Sequence, residues 1–488
     1  MRISGGQLVT LSLAGVVLTG CSESTPTRPL VSSPTTVAAV HNPPSAGSII
    51  IFKKSNTTSL RSARVGSRLG NLIGTGASSS AQDAVITSVI PHFNAIAVSG
   101  TVSASDVGGD VTVVPNYIAD MVDPVPSEQL QTMPIEMMND PLGTDQSGAS
   151  LFAANWQWDM KRISVNRAWV PSRGGAGSKV CIIDSGIDPG HVVFVGKSIT
   201  STSFVTNSAA QTDTNGHGSH VAGTVSTNGV GLSSVVPNAS LMTAKVFAGS
   251  GGASTTAVWN GILWCADNGA DVINMSLGFT GGIPVAGNED FIAFYQEVLD
   301  YASDLGVVIV AAAGNDGVTM PVAGRIFIPA EMGRVTSVAA TGPTGNFSPC
   351  CATATWAAPG AGFDGIASYS NRGPVPSVDI SAPGGDFATG WPNQSLITSV
   401  CSRQFRSGNT FPCAGGGSVL FEAGTSQASP HVAGVAALIR ARWPSTVRSV
   451  TLRNKIESCL YRAVDNVGST SIFGRGRLNA YKAATQAC

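Results

Sequence analysis

Charged side chains are scarce in this chain. Asp, Glu, Lys and Arg make up 12% of its 488 residues, about half the usual share, and the formal net charge is −1. A surface of this kind has no basic field to attract nucleic acid or anionic lipid. The 57 glycines and 27 prolines stay below the level of low-complexity chains. The composition therefore predicts a globular protein with a large apolar core and no nucleic-acid partner.

The apolar run near the N-terminus is too short to cross a bilayer. It covers residues 8–17, follows Arg2, and leads to LTGC at positions 18–21. We interpret residues 1–20 as a signal peptide. LTGC resembles a bacterial lipobox, in which Cys21 is lipidated; the alternative is a plain signal peptide with an incidental cysteine. Residues 21–47 are predicted to form a disordered tether. The protein is expected in the bacterial cell envelope, either anchored by a lipid or released to the extracellular medium.

Cysteine spacing of the metal-binding kind is missing, because no Cys-x-x-Cys or Cys/His cluster occurs. Of nine cysteines, eight remain once Cys21 is set aside, an even number that suits disulfides in an oxidising compartment. We expect the bridges Cys401–Cys413 and Cys459–Cys488. Cys181 and Cys265 fall in predicted core elements and are interpreted as buried thiols. No pairing is predicted for residues 350–351.

Ser426 has the sequence context of a nucleophile. It lies in GTSQASPHVAG (residues 424–434), which predicts a tight turn that places a serine on the first turn of a buried helix. Gly424 permits close backbone approach, and Pro430 is expected in the first turn of the helix. The N–H groups at such a helix start would stabilise an oxyanion. The Gly-x-Ser-x-Gly pattern of lipase-like hydrolases is absent around this serine.

A serine nucleophile needs a base and a group that orients the base. Asp184 ends the apolar run KVCIID at residues 179–184, which predicts a buried parallel strand with a carboxylate at its carboxyl end. His217 lies in DTNGHGSHVAGT at residues 213–224, where flexible residues lead into an apolar helix. The three candidates follow one another in the order Asp, His, Ser.

With these motifs the chain resembles the subtilisin-like (subtilase) serine proteases, whose Asp–His–Ser order is a known example. The resemblance covers about residues 158–484. It includes VINMSLG at 272–278, AAAGN at 311–315, ISAPG at 380–384 and FGRGRLNA at 473–480. It implies a serine endopeptidase that works through an acyl-enzyme.

The resemblance also implies roles for individual residues. Asp184 would orient His217, and His217 would take the proton from Ser426. Asn315 matches the oxyanion residue of the family. The implied substrate edge, where an extended peptide pairs with the backbone, consists of Ser276, Leu277 and Gly278.

Two further histidines are interpreted as structural. His220 lies three residues after His217 on the packed side of the predicted helix, and no further ligands for a metal pair are evident. His431 follows the family pattern as a helix residue. We therefore predict no metal site and no required cofactor.

Two departures from the family affect finer expectations. The loop at residues 227–237 is shorter than the loop that binds calcium in many members, so that calcium site is expected to be missing. Asp304, Asp316 and Asp364 could still bind calcium weakly, although turn or capping roles are the more common ones for such residues. Phe279 stands where many members have a second glycine and is expected to narrow the peptide groove.

A second unit precedes the catalytic region. Strand-like segments at residues 49–52, 84–90, 93–98 and 111–115 predict a small α+β domain over residues 48–123, which resembles the subtilase propeptide, a folding assistant and inhibitor that covers the cleft. Residues 124–150 are predicted to be a linker. Its extended stretch at 133–138 is a candidate site of autoprocessing.

The catalytic domain is assigned to residues 151–488. Short apolar runs at 180–183, 240–246, 271–275 and 307–311 alternate with helical spans at 256–268 and 292–305. This predicts an α/β fold with a doubly wound, mainly parallel sheet flanked by helices. The predicted protein is a monomeric, self-processing serine endopeptidase acting on polypeptides. The alternative is a catalytically silent surface protein that binds peptides in the same cleft.

Overall fold

The computed structural model describes residues 42–53, 60–74, 76–121, 132–134, 144–249, 251–343, 364–386, 395–486 and 488. The predicted signal peptide, Cys21, most of the tether, the cysteines at 350–351 and most of the linker lie outside these residues.

A small α+β domain comes first, as predicted. Its four main strands pair antiparallel in the order β2-β3-β1-β4, and apolar side chains from both strands and helices form its own core. Its elements are β1 (Ser45–Phe52), α1 (Gly70–Ile73), α2 (Ser79–Asp83), β2 (Ile86–Ile90), β3 (Ala95–Val98), α3 (Ala104–Val107) and β4 (Val111–Met121).

The second, larger domain is built on one large sheet and is preceded by the linker strand β5 (Thr132–Pro134). The strands of this domain, of which some lie outside the large sheet, are β6 (Lys179–Asp184), β7 (Ile199–Ser203), β8 (Ser240–Lys245), β9 (Ala253–Ser254), β10 (Val272–Met275), β11 (Leu277–Gly278), β12 (Ile283–Pro284), β13 (Val308–Ala312), β14 (Arg325–Ile326), β15 (Val335–Gly342), β16 (Gly365–Ile366), β17 (Ile380–Pro383), β18 (Ile397–Val400), β19 (Ser418–Glu422), β20 (Val464–Asp465) and β21 (Arg477–Leu478).

The helices of this domain vary from one turn to sixteen residues. They are α4 (Ser150–Ala153), α5 (Trp158–Arg162), α6 (Val165–Ala168), α7 (His217–Val225), α8 (Thr255–Asp267), α9 (Glu289–Asp304), α10 (Thr425–Arg440), α11 (Val450–Arg462), α12 (Thr470–Phe473) and α13 (Ala480–Thr485).

The sheet has the predicted doubly wound order. Strands β7, β8, β6, β10, β13, β15 and β17 are neighbours in that sequence and pair parallel throughout. The winding reverses between β6 and β10, and in open α/β sheets the crevice at such a switch point is where ligands bind. The carboxyl ends of these two strands therefore mark the expected site.

Both faces of the sheet are covered by helices. In β6, Val180 and Ile182 belong to the core that contains α7, α10, α11 and α13, whereas Cys181 and Ile183 belong to the core that contains α8 and α9. This alternation is the two-residue period of a strand buried on both faces. It explains why the strand is apolar along almost its whole length.

The cysteine predictions were partly wrong. The bridges Cys401–Cys413 and Cys459–Cys488 are present, as predicted. Cys181 and Cys265 are not buried thiols, because they form a third disulfide. Their positions, 84 residues apart, meet because α8 packs on the β6 face that carries Cys181.

The position of Pro430 was also predicted wrongly. Helix α10 begins at Thr425, so Pro430 lies in its second turn and not in its first. Proline has no N–H to donate to the carbonyl four residues earlier, which is that of Ser426. The Ser276 hydroxyl donates to this carbonyl instead, at 2.8 Å, so the helix continues without a buried unpaired oxygen.

Candidate active site

Asp184 and His217 form a buried pair at the switch point. The Asp184 carboxylate projects from the end of β6, and Nδ1 of His217 lies 2.9 and 3.0 Å from its two oxygens. Both side chains are only 1% exposed. The backbone N–H of Ser185 donates to the same carboxylate at 2.7 Å. A proton on Nδ1 facing Asp184 leaves Nε2 as the nitrogen that accepts a proton.

The backbone around His217 explains why it begins a helix. Gly216, the residue before α7, has φ of 94°, a left-handed conformation that glycine adopts at little cost. The Asn215 side chain accepts a hydrogen bond from the His217 N–H at 3.0 Å. The imidazole is thus fixed on the first residue of a buried helix.

Ser426 lies on the first turn of α10, which packs against α7. Its Oγ donates to the Ser276 carbonyl at 3.2 Å, at the end of the β10 segment. Asn315 follows β13, and its Oδ1 accepts from the N–H and hydroxyl of Thr425 at 3.0 and 2.8 Å. Because Oδ1 is engaged there, Nδ2 is the end of this side chain that can donate to a substrate oxygen.

The predicted substrate edge is occupied by the N-terminal domain of the same chain. In β11, Leu277 pairs antiparallel with Met121 and Gly278 with Asp120. On its other side β4 pairs with β9, at Ile118 and Ala119. The end of β4 is therefore the middle strand of a three-stranded arrangement. Ser276, by contrast, is fully buried, and its side chain supports the start of α10.

A pocket of about 150 Å³ opens beside the end of β4. Its walls combine apolar side chains with the polar ones of Thr280, Asn315 and Asp316; it is lined by Met121, Gly278, Phe279, Thr280, Ala312, Ala313, Gly314, Asn315, Asp316, Phe327, Ile328 and Ala330. Asp316 accepts from the Gly281 N–H at 2.6 Å and from the Asn371 amide at 3.0 Å. The pocket is therefore a mixed polar and apolar cavity, and its carboxylate is already engaged by protein donors.

Phe279 contributes to this wall from a buried position. It is 4% exposed and lies edge-on to Tyr117 of β4 and to Phe291, with ring centroids 6.4 and 6.3 Å apart. The side chain therefore lines the pocket while it packs against two aromatic rings, one of them on β4; narrowing of the peptide groove stays a prediction.

His220 and His431 have structural surroundings. His220 donates from Nε2 to the Ile397 carbonyl at 3.1 Å, and burial, with the nearby His217, lowers its pKa to about 3. His431 bridges the Gln427 carbonyl and Asp159, at 2.8 and 2.9 Å. Both side chains are fully buried, which agrees with their interpretation as packed helix residues.

The weak calcium candidates have protein partners. Asp364 is buried between Arg162 and Arg477, and Asp304 lies 3.5 Å from Arg334. Among the described residues, no three His, Cys, Asp or Glu side chains come together as ligands for a metal ion.

Lys245 and Asp213 also belong to the site, although neither was predicted from the sequence. Lys245 is the register partner of Asp184 in the parallel sheet, and its Nζ donates to the Ser185 and Thr212 carbonyls at 2.5 and 2.9 Å. It is 2% exposed. Burial lowers its pKa, whereas the charges of Asp213 and Asp184 act in the opposite direction. The available signal was a lysine at the end of an apolar strand, a position that is more often at the surface.

Asp213 connects the two segments that carry the pair. Its Oδ1 accepts from the Ser185 hydroxyl at 2.9 Å and from the Gly216 N–H at 2.8 Å, and its Oδ2 accepts from the Ser219 N–H at 2.7 Å. The carboxylate is fully buried. It therefore joins the residue after Asp184 to the start of the His217 helix.

Comparison with known proteins agrees with this geometry. Residues 175–476 match the profile of the subtilase family. Thermitase of Thermoactinomyces vulgaris is 33% identical over 331 residues, which cover 67% of this chain and 95% of that protein. Subtilisin DY of Bacillus licheniformis is 34% identical over 324 residues, which cover 66% of this chain and 96% of that protein.

Solved structures show the same fold. An epidermin leader peptide processing serine protease from Staphylococcus aureus superposes with a TM-score of 0.63 at 22% identity, covering 90% of this chain and 98% of its own. Fervidolysin from Fervidobacterium pennivorans superposes with a TM-score of 0.61 at 21% identity, and the match covers 90% of this chain and 61% of that chain. The chain belongs to the subtilase family and is a serine-type endopeptidase. Within the described residues no helix has the length and apolarity needed to span a membrane.

Proposed function

We propose that Ser426, His217 and Asp184 are the catalytic triad of a self-processing endopeptidase. Ser426 Oγ attacks the carbonyl carbon of a peptide bond while His217 Nε2 takes the hydroxyl proton. His217 then gives this proton to the leaving amine as the C–N bond breaks, which leaves an acyl-enzyme. Water, deprotonated by His217, hydrolyses the ester and restores the serine. Asp184 keeps the imidazole oriented throughout.

Asn315 is proposed as an oxyanion donor together with the Ser426 N–H. The observation in its favour is that Thr425 holds Oδ1, which orients the amide beside the helix start. Loss of one such donor typically lowers turnover about 100- to 1000-fold. We therefore expect that order of loss for Asn315→Ala, with little change in KM.

The position of β4 carries the proposal of self-processing. Its last residues pair with β11 and β9 as an extended peptide substrate would, and the chain reaches the pocket at Met121. We place the processed bond directly after this tail, in preference to residues 133–138. Part of that stretch belongs to β5, which pairs with β19.

Contacts between the two domains support an inhibitory role for residues 48–123. The Tyr117 hydroxyl donates to Asn288 at 2.6 Å at the start of α9. Phe93 lies edge-on to Phe294 with centroids 5.3 Å apart. Together with strand pairing in the groove, these contacts would keep the cleaved domain bound as an inhibitor. Substrates are proposed to be unfolded or exposed polypeptide segments that replace β4.

Labelling with a serine-directed fluorophosphonate tests the proposed nucleophile. Processed wild-type protein should be labelled, and Ser426→Ala should not. Ser172→Ala is the matched control, because this buried serine only donates to backbone carbonyls in a loop after α6. Folded, processed wild-type protein that takes no label would contradict the triad and favour the silent peptide-binding alternative.

Anchoring and cofactor use are further proposals. We propose that Cys21 is lipidated and tethers the enzyme to the cell envelope, and that catalysis needs no metal. Incorporation of labelled palmitate should be lost in Cys21→Ala. Activity should survive dialysis against a chelator; its loss and return with added calcium would contradict the proposal of metal independence.

A further inference from the structure

The loop between β18 and β19 is closed by a buried disulfide. Cys401 and Cys413 are both fully buried and lie at the two ends of residues 401–413, which we call the brace loop. Phe405 and Leu420 complete a small apolar cluster around the bridge. Beyond the loop, β19 leads directly to the start of α10 and Ser426.

The brace loop holds both backbone groups of Asp213. The Asp213 N–H donates to Oε1 of Gln404 at 2.7 Å, and the Ser402 hydroxyl donates to the Asp213 carbonyl at 2.7 Å. Since the Asp213 side chain accepts from the N–H groups of Gly216 and Ser219 at the start of the His217 helix, these two bonds act on the base through Asp213.

Two more contacts reach the same segment. The Arg406 N–H donates to the Thr214 carbonyl at 3.1 Å. The Phe405 ring lies against Gly216, where an added Cβ would be only 3.0 Å from the ring. The residues before His217 are therefore in contact with the brace loop through hydrogen bonds and through packing.

The other side of the brace loop contacts the segment after Asp184. Arg403 donates from its guanidinium to both oxygens of Asp188, at 2.7 and 3.0 Å, and from its backbone N–H at 2.8 Å. Asp188 is fully buried. Burial alone would raise its pKa, but the Arg403 bonds outweigh burial and lower it. At Gly190 an added Cβ would lie 1.8 Å from the guanidinium, so only glycine fits there without movement of Arg403.

We propose that the brace loop is a positioning element for the catalytic pair, and that Gln404 and the Cys401–Cys413 disulfide are its principal residues. It holds the segments after Asp184 and before His217 at a fixed separation. This inference rests on the proposed role of His217 as the base. The disulfide restricts the loop, so that reduction or removal of the bridge releases both segments together.

The effect should appear in turnover more than in substrate binding. The groove is formed by β9, β11 and the pocket, which belong to other elements. A displacement of about 1 Å of a catalytic group can lower the rate about 100-fold. We therefore expect kcat to fall 10- to 100-fold and KM to change less than about twofold when the brace is released.

The test compares two disulfide-free variants of the full chain after processing. In Cys401→Ser/Cys413→Ser we expect the loss in kcat. The ascending limb of kcat against pH should also move to lower pH, because a loosened contact with Asp184 stabilises the imidazolium less. The control Cys459→Ser/Cys488→Ser removes a bridge of 29 residues at the C-terminus and should lower thermal stability with kcat and the pH limb unchanged.

Gln404→Ala provides a second variant that keeps the disulfide, and it decides the matter if the first does not fold. It should lower kcat about 10-fold with the same direction of pH shift. Gln296→Ala is its control, because Oε1 of Gln296 also accepts a backbone N–H, from Gly333 at 2.8 Å, outside the brace loop and the segments that it contacts. If Gln404→Ala leaves both kcat and the position of the ascending pH limb unchanged, the proposed positioning role of the brace loop is wrong. An active Ser426→Ala would instead overturn the proposed function.

Discussion

Ser276→Ala should both destabilise the protein and slow catalysis. The Ser276 hydroxyl donates at 2.8 Å to the Ser426 carbonyl, whose usual helix donor, the N–H four residues later, is missing because residue 430 is proline. It also accepts from the Asn274 amide at 2.9 Å. The Ser429 hydroxyl lies 2.9 Å from the same Ser276 oxygen. An alanine therefore leaves three buried polar groups without this partner, and each group that stays unsatisfied costs about 1–3 kcal/mol. Since Ser429 Oγ lies 3.5 Å from the same carbonyl, we expect a total near the low end, about 2–4 kcal/mol.

Stability should be measured by denaturant unfolding in a Ser426→Ala background, where self-digestion is prevented and the carbonyl is retained. Catalysis is measured in the active chain, with kcat expected to fall at least 10-fold because the nucleophile loses its support. Pro430→Ala sharpens the test. It supplies an N–H to the Ser426 carbonyl, so the cost of Ser276→Ala should shrink by about 1 kcal/mol in that background.

Two results would refute this reasoning. One is a cost below about 0.5 kcal/mol for Ser276→Ala, since an unsatisfied buried carbonyl is more expensive than that. The other is that Ser276→Ala costs the same free energy of unfolding in the Pro430→Ala background as in the chain that keeps Pro430. The missing helix N–H would then play no part.

Three further results are expected. Removal of the Cys181–Cys265 bridge in a double alanine variant should cost about 4–5 kcal/mol of stability, from loop closure over 84 residues, with kcat at 25 °C retained. Lys245→Met should move the ascending limb of kcat/KM upward by about 0.5–1 pH unit, because loss of a nearby positive charge stabilises the protonated base. Burial raises the pKa of Glu457 to about 7, above the unfolded value of 4.5, so the folded chain holds this proton longer and stability falls as pH rises between these values. In Glu457→Gln, this fall in stability with rising pH should be smaller by at most about 3 kcal/mol.

Control measurements test the expectations for Lys245 and Glu457. Lys197→Met is the control for Lys245, because Lys197 is partly buried and also donates to a carbonyl, that of Pro237, outside the catalytic pair. An equal shift of the pH limb in both variants would contradict a specific role for Lys245. For Glu457, the difference in unfolding free energy between pH 5 and pH 8 should be smaller in the glutamine variant; an equal difference contradicts the assigned pKa.

The sequence predicted those parts of the site that depend on local pattern. Asp184 ends an uninterrupted apolar strand and Ser426 begins a buried helix, so both positions follow from short windows of sequence. The parallel sheet was predictable because its strands are buried on both faces and therefore apolar throughout. These signals need no knowledge of distant partners.

The remainder depends on contacts between distant segments. Lys245 lies at the site only because parallel register places it beside Asp184. Strand β4 was predicted to end near residue 115 but continues to Met121, since its later partners β9 and β11 come from another domain. Asn116 is buried there because its Oδ1 accepts from the Thr256 N–H at 3.2 Å, in the first turn of α8. No local pattern reports such a partner.

Intact mass of the purified protein tests the central claim most directly. Wild type and Ser426→Ala, both expressed without the signal segment, should differ in one respect. Wild type should lose its N-terminal domain at a bond directly after Met121, whereas Ser426→Ala should keep its full length. A folded wild type that keeps full length, a new N-terminus within residues 133–138, or the same cleavage in both proteins would contradict the account.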